Sequence, residues 1–179
     1  MRVRLPRLEY GLLALSVCAL TGQGGSEAEA RFNGAWVNAA SDQGRAEIEQ
    51  AVDRSIHDMF ALAKPTARSR LLAANPAIDK LEIAIADQTV RVNLGHGRDT
   101  RAAQGAWQNA KSATGDPVRI RYTLTPAGVL KMESLSDGGS GRHTFRVLDD
   151  GKMLRHEVRI ESSHLPEPVR YQLDYRRAP

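Results

Sequence analysis

Two histidines give the most pointed chemical signal in the sequence. His156 stands between Leu154 and Val158, and His143 shares alternate positions with Phe145 and Val147. Period-two alternation therefore puts both imidazoles on the apolar face of a strand. Asp150-Gly151 is a strong hairpin signal between the two segments. It predicts a register with Val147 opposite Leu154, Phe145 opposite His156 and His143 opposite Val158. In that register the imidazoles are diagonal neighbours, roughly 7–8 Å apart at the backbone and within reach of a common ligand. One reading is a polar handle inside an apolar cavity, for a ligand head group, a metal or a heme. The other is a hydrogen-bonded interior pair that holds nothing. Two histidines fall short of the three protein ligands usual at a zinc site, so no metal is assigned. His57, on a helix, and His96 and His164, in loops, are expected to be solvated.

Other reactive chemistry is missing. The one cysteine, Cys18, falls in a leader-like segment, and there is no G-x-S-x-G, no H-E-x-x-H and no phosphate-cradling glycine loop. Glu82, Glu133, Glu157 and Glu161 fall on polar strand faces, and Asp149-Asp150 is a turn pair. These absences predict a binding protein with no cofactor rather than an enzyme. Arg142, Arg146, Arg155 and Arg159 share the outward face of one hairpin with Glu157 and Glu161. That patch suits anionic head groups at a membrane surface or an acidic envelope partner, or is simply a solvated sheet face. The chain has 179 residues and a net charge of +4, with 26% charged residues. No block of five like charges occurs, which argues against nucleic acid as a partner.

The N-terminus reads as an export signal. Arg2, Arg4 and Arg7 precede the apolar run 11–20, and Ala28-Glu29-Ala30 offers a small-residue cleavage pattern. The run is too short for a membrane span. Cleavage after Ala30 leaves residues 31–179 as one exported domain, periplasmic or secreted. Leu15-Ser16-Val17-Cys18 gives a second outcome, lipidation at Cys18, from a lipobox with Val17 where a small residue is expected.

A short strand is predicted at 32–38, then a helix over about 43–63 with Ser41 and Asp42 as N-cap candidates. Ile48, Val52, Ile56, Met59 and Ala63 lay one apolar stripe along it. Pro65 opens a second helix to about 74, with Leu71 and Leu72 inward, and Asn75-Pro76 stops it. From Asp79 the period changes to two. Leu81, Ile83 and Ile85 alternate, then Val90, Val92 and Leu94, around a turn at Asp87-Gln88. The stretch 96–116 predicts one strand at about 102–109. Val118, Ile120, Tyr122 and Leu124 line one strand face. The three-residue loop before Val129, closing on Gly128, sets Leu124 opposite Leu130 and Tyr122 opposite Met132. Strands at 142–148, in the paired segment after Gly151, and at 169–176 follow, the last with Tyr171, Leu173 and Tyr175 on one face. The whole predicts a mainly β chain: an antiparallel up-and-down barrel of about 8–10 strands with a two-helix insertion after the first, residues 43–74 forming a lid.

Phe32-Asn33-Gly34-Ala35-Trp36 resembles the F-x-G-x-W opening of fatty-acid-binding proteins and the G-x-W opening of lipocalins. Two helices after the first strand, followed by an antiparallel meander, are similar to the fatty-acid-binding branch of these calycin barrels. The resemblance implies that Trp36 plugs the closed end and that an apolar or amphipathic, lipid-like molecule binds inside. The Arg-x-Tyr carboxylate clamp of that branch does not occur in Arg170-Tyr171-Gln172-Leu173-Asp174-Tyr175-Arg176-Arg177, and the T-D-Y-type loop of lipocalins is missing. Nitrobindin-like heme barrels open with G-x-W-x-G-x-G, whereas Asn38 and Ala40 stand at the further glycine positions here. Residues 143, 145, 156, 158, 122, 132 and 171 (His143, Phe145, His156, Val158, Tyr122, Met132 and Tyr171) are the expected ligand contacts of an exported small-molecule carrier. A filled barrel that docks on an envelope partner, and a heme barrel using an interior histidine, are the alternatives.

Overall fold

The computed structural model describes residues 23–95 and 98–179. The leader-like segment with Cys18, and His96, lie outside the described residues. Helix α1 (Gln23–Phe32) leads into β1 (Gly34–Asn38), and α2 (Ser41–Ser55) and α3 (Lys64–Ala74) follow. Nine further strands complete the chain: β2 (Lys80–Ala86), β3 (Thr89–Asn93), β4 (Asp99–Ala103), β5 (Gln108–Lys111), β6 (Pro117–Leu124), β7 (Val129–Ser136), β8 (Gly139–Leu148), β9 (Met153–Glu161) and β10 (Val169–Arg177). They form one antiparallel sheet in the order β4-β3-β2-β1-β10-β9-β8-β7-β6-β5. The sheet curls until β4 meets β6, where Gln104 bridges Tyr122 and Gly105 N–H donates to the Tyr122 carbonyl at 2.7 Å. The barrel is thus nearly closed, which hides most of the edge that so long a sheet would expose.

Alternation explains the strands. In β2 the burial pattern is strict, with Leu81, Ile83 and Ile85 inward and Lys80, Glu82, Ala84 and Ala86 outward. β10 buries Val169, Tyr171, Leu173 and Tyr175 in the same way. Asp87 and Gln88 turn the β2–β3 hairpin with φ of 49° and 59°, the left-handed pair of a two-residue turn. The predicted registers hold: Leu124 faces Leu130, Tyr122 faces Met132, Phe145 faces His156 and His143 faces Val158.

Several expectations are corrected. Phe32 is not in the first strand; it ends α1 and is buried at 1% exposure. The helix at 43–63 stops at Ser55, because His57 and Asp58 interrupt the stripe and Phe60 is exposed. Its N-cap is Ala40 rather than Ser41 or Asp42, and the Asn38 side chain accepts the Ala40 N–H at 2.9 Å. The single strand at 102–109 is two strands, β4 and β5, split around Gly105 with φ of 78°. The β8–β9 connection is a four-residue turn, Asp149–Lys152, with a 3-10 segment (Asp149–Gly151) rather than a two-residue one.

The two ends of the barrel differ. At one end Trp36 is fully buried, and its Nε1–H donates to the Phe32 carbonyl at 3.0 Å. Arg177 lies 4.2 Å over the Trp36 ring and donates to the carbonyls of Gly151, Asn33 and Arg31. Trp36 therefore sits at the closed end. At the other end α2 covers β10, with Leu173 beneath Gly44, α3 packs on α2, and the Tyr171 hydroxyl donates to Oδ1 of Asn75, just after α3, at 3.2 Å.

A candidate binding site beneath the helices

The expected ligand contacts fall on two adjacent rows inside the barrel. Tyr171, Val158, His143, Met132 and Tyr122 are successive cross-strand partners from β10 to β6. The next row, one step toward the closed end, brings Leu173, His156, Phe145 and Leu130 together. His143 is half-buried and the other six expected residues are buried, His156 and Phe145 completely. The interior is filled by these side chains. Tyr122, Phe145, Leu154, His156 and Tyr175 have no exposure to a water-sized probe.

The two imidazoles hydrogen-bond to each other. His143 Nδ1 lies 3.0 Å from His156 Nε2, with ring centroids 5.2 Å apart and planes 19° apart. That combination is an edge-to-edge, nearly coplanar pair. The aromatic stack is instead with Phe145, whose ring lies 4.4 Å from His156 at 10°. Burial pushes the His143 pKa down to about 4, helped by the Arg98 charge. Burial also drives His156 well below the usual imidazole range, with His143 and Arg98 adding to the effect. Both rings are therefore neutral near neutral pH.

Arg98 is the residue that sequence reasoning missed. It lies in the β3–β4 turn, where Leu94 N–H donates to the Arg98 carbonyl and Arg98 N–H donates to that of Gly95, each at 2.9 Å. Because Asn93 pairs with Glu82 near the start of β2, this turn is at the helix-covered end. The guanidinium enters the barrel close enough to bear on His143, His156, Tyr171 and Tyr175. Its Nε and Nη2 are buried and have no hydrogen-bond partner among the described residues; nor have His156 Nδ1 and the Tyr175 hydroxyl. Burial lowers the Arg98 pKa, and Tyr171 and Tyr175 partly oppose the shift. Burial raises the Tyr171 and Tyr175 pKa values, so both phenols stay protonated donors.

The contrast with the other interior hydroxyls is informative. Tyr171 is held by Asn75, the C-cap residue of α3, whose Nδ2 donates back to the Leu71 carbonyl. Tyr122 shares a 2.6 Å hydrogen bond with Thr100. Those groups are satisfied by the fold. Arg98, Tyr175 and His156 are not, and a buried polar group left unpaired typically costs about 1–3 kcal/mol, more when charged. The Arg98 guanidinium and the Tyr175 hydroxyl offer N–H and O–H donors with one positive charge, which is the chemistry of an anion site, and His156 Nδ1 adds a donor in the tautomer in which His143 Nδ1–H donates to His156 Nε2. Among the described residues no three His, Cys, Asp or Glu side chains gather as a metal would require.

No protein-family model matches the chain, and no curated protein matches it. Solved structures do. Fatty-acid-binding protein 1 of Echinococcus granulosus superposes with a TM-score of 0.53 at 13% identity, covering 84% of this chain and 99% of that one. The fold is that of the fatty-acid-binding proteins. The Schistosoma mansoni fatty acid binding protein in complex with arachidonic acid is similar at a TM-score of 0.51 and 10% identity, over 85% of this chain and 99% of that one. The zebrafish ileal bile acid-binding protein complexed with cholic acid gives 0.50 at 12% identity, over 83% and 99%. The expected fold is therefore found, at identities that leave the ligand open.

Proposed function

We propose that this chain is an exported carrier that takes an amphipathic acid into its barrel, with the acidic head on Arg98. The observation that carries this reading is Arg98: its Nε and Nη2 are buried without a hydrogen-bond partner among the described residues, as are the Tyr175 hydroxyl and His156 Nδ1, and its charge bears on both of those residues. A carboxylate there neutralises the charge and gives these donors an acceptor. The Arg-x-Tyr clamp missing from the last strand is replaced by an arginine from the β3–β4 turn and a tyrosine, Tyr175, on β10. Two proteins of the same fold were solved with acids, arachidonic and cholic. His143, Phe145, Val158, Tyr122, Met132 and Tyr171 line the path of the apolar part.

Because the interior is filled, the ligand binds a state in which side chains have moved aside. The apparent affinity is reduced by the small population of that state. The zero exposure of Tyr122, Phe145 and Leu154 favours a second reading, a filled barrel that acts by docking on a partner. Titration of delipidated protein with a long-chain fatty acid, and with the alcohol of equal length, separates the two. Saturable binding of the acid with at least tenfold preference over the alcohol supports the carrier. Binding of neither supports the filled barrel.

A further inference from the structure

On the outer face of the sheet one cross-strand row reads Arg121, Glu133, Arg142, Arg159, Arg170, from β6 to β10. Arg142, Arg159 and Arg170 are directly opposite one another on three adjacent strands and all are exposed. Directly opposed like charges destabilise a sheet. Elsewhere on this face the repulsion is relieved: Arg146 and Arg155 are also opposed, but Arg146 pairs with Glu157 at 2.6 Å and Arg155 with Asp174 at 2.9 Å. In the row itself Arg121 pairs with Glu133 and Arg159 with Glu161, whereas Arg142 and Arg170 have no ion-pair partner among the described residues. Two uncompensated guanidiniums thus flank a third across a rigid strip, at a cost that folding alone does not explain.

Hydrocarbon stands at one end of the strip. Trp107 and Leu135 are 36% and 37% exposed, and with Arg142, Arg159 and the ion-paired Glu133 and Glu161 they line a groove of about 180 Å³. The guanidinium of Arg121 lies 4.7 Å over the Trp107 ring and that of Arg119 lies 5.4 Å from it. An indole and a leucine beside a flat row of guanidiniums match a bilayer interface, where phosphates are mobile enough to meet each cation and an indole sits at head-group depth. A folded acidic partner would need carboxylates placed at matching spacing.

We propose that the outer face of β8–β10, with Trp107 at its edge, docks on an anionic lipid bilayer. This surface is distinct from the interior site and does not depend on what the barrel carries. The test is co-sedimentation of the full chain with phosphatidylcholine vesicles, with and without about 30% phosphatidylglycerol, the anionic lipid supplying the attraction. The protein partitions onto the anionic vesicles only, and less as salt is raised. Joint replacement Arg142→Ser and Arg170→Ser weakens partitioning by about 30-fold, since each surface cation contributes roughly a factor of five. The same double variant is at least as heat-stable as the parent because like-charge repulsion is relieved. Arg45→Ser with Arg101→Ser removes the same charge from exposed positions outside the row and leaves partitioning within about twofold. No binding to anionic vesicles, equal loss in both double variants, or a lowered melting temperature in the first overturns the proposal. So does capture of the chain by soluble polyglutamate with none on vesicles, which points to an acidic protein instead.

Discussion

Replacing Arg98 with methionine should stabilise the ligand-free protein while weakening its binding of acids. In the empty barrel Arg98 presents two buried nitrogens with no partner among the described residues, and its charge presses on two neutral imidazoles. Exchanging a poorly compensated interior charge for an apolar side chain of similar length typically gains about 1–3 kcal/mol. For a chain of this size each kcal/mol moves the melting temperature by about 2–4 °C, so Arg98→Met should melt roughly 2–12 °C higher. Loss of the charge-assisted hydrogen bonds to a bound carboxylate should weaken binding by about 1.5–3 kcal/mol, on the order of 10- to 100-fold. Differential scanning calorimetry of delipidated protein and a fatty-acid titration read the two effects separately. A variant that melts lower, with acid affinity unchanged, would refute the assignment and make Arg98 a structural residue.

Three other predictions follow from the same geometry. His143 and His156 have folded pKa values below their unfolded ones, so their contribution to stability is complete above about pH 6.5 and is lost as pH falls toward 4. Each takes up a proton on unfolding in that window, a slope of at most about 1.4 kcal/mol per pH unit per residue, less for half-buried His143. Urea melts at pH 7 and pH 5 test this, and a folded-state imidazole titrating near 6.5 at either position contradicts it. Arg177→Ala removes donors to three carbonyls and the cover over Trp36, and should cost about 1–3 kcal/mol. Hydrogen exchange should then quicken in α1 and β1 first. Gly139→Ala drives a Cβ into the Glu161 carbonyl oxygen at a φ of 153° and should cost at least about 3 kcal/mol, read by denaturant midpoint.

Much of the barrel was legible because the registers have physical signatures. The loop closing on Gly128 and the apolar pairs beyond it admit one alignment, and a slip by one residue would have turned Tyr122 and Met132 to solvent. The diagonal placement of His143 and His156 came from the same logic, and they meet at hydrogen-bonding distance. The stretch 96–116 was not legible. Its strands are short, Gln108–Lys111 has no buried residue, and Trp107 points out under two arginines. Arg98 was hidden for a related reason. A turn arginine is ordinarily solvated, and only curling of the sheet brings the β3–β4 turn over the histidine pair. Alternation turns Tyr175 inward, but nothing in the sequence reveals that its hydroxyl has no partner among the described residues. The F-x-G-x-W opening does not reveal that Phe32 closes a helix: Asn33 follows it, and the Asn33 side chain pairs with Ile85 in β2.

Native mass spectrometry of the protein purified from the cells that make it, compared with the mass after denaturation, tests the carrier reading most directly. The account predicts extra mass lost on denaturation that corresponds to an amphipathic acid, and its loss in the Arg98→Met variant. A bare mass for the parent, together with no uptake of added fatty acid by the delipidated protein, would contradict it.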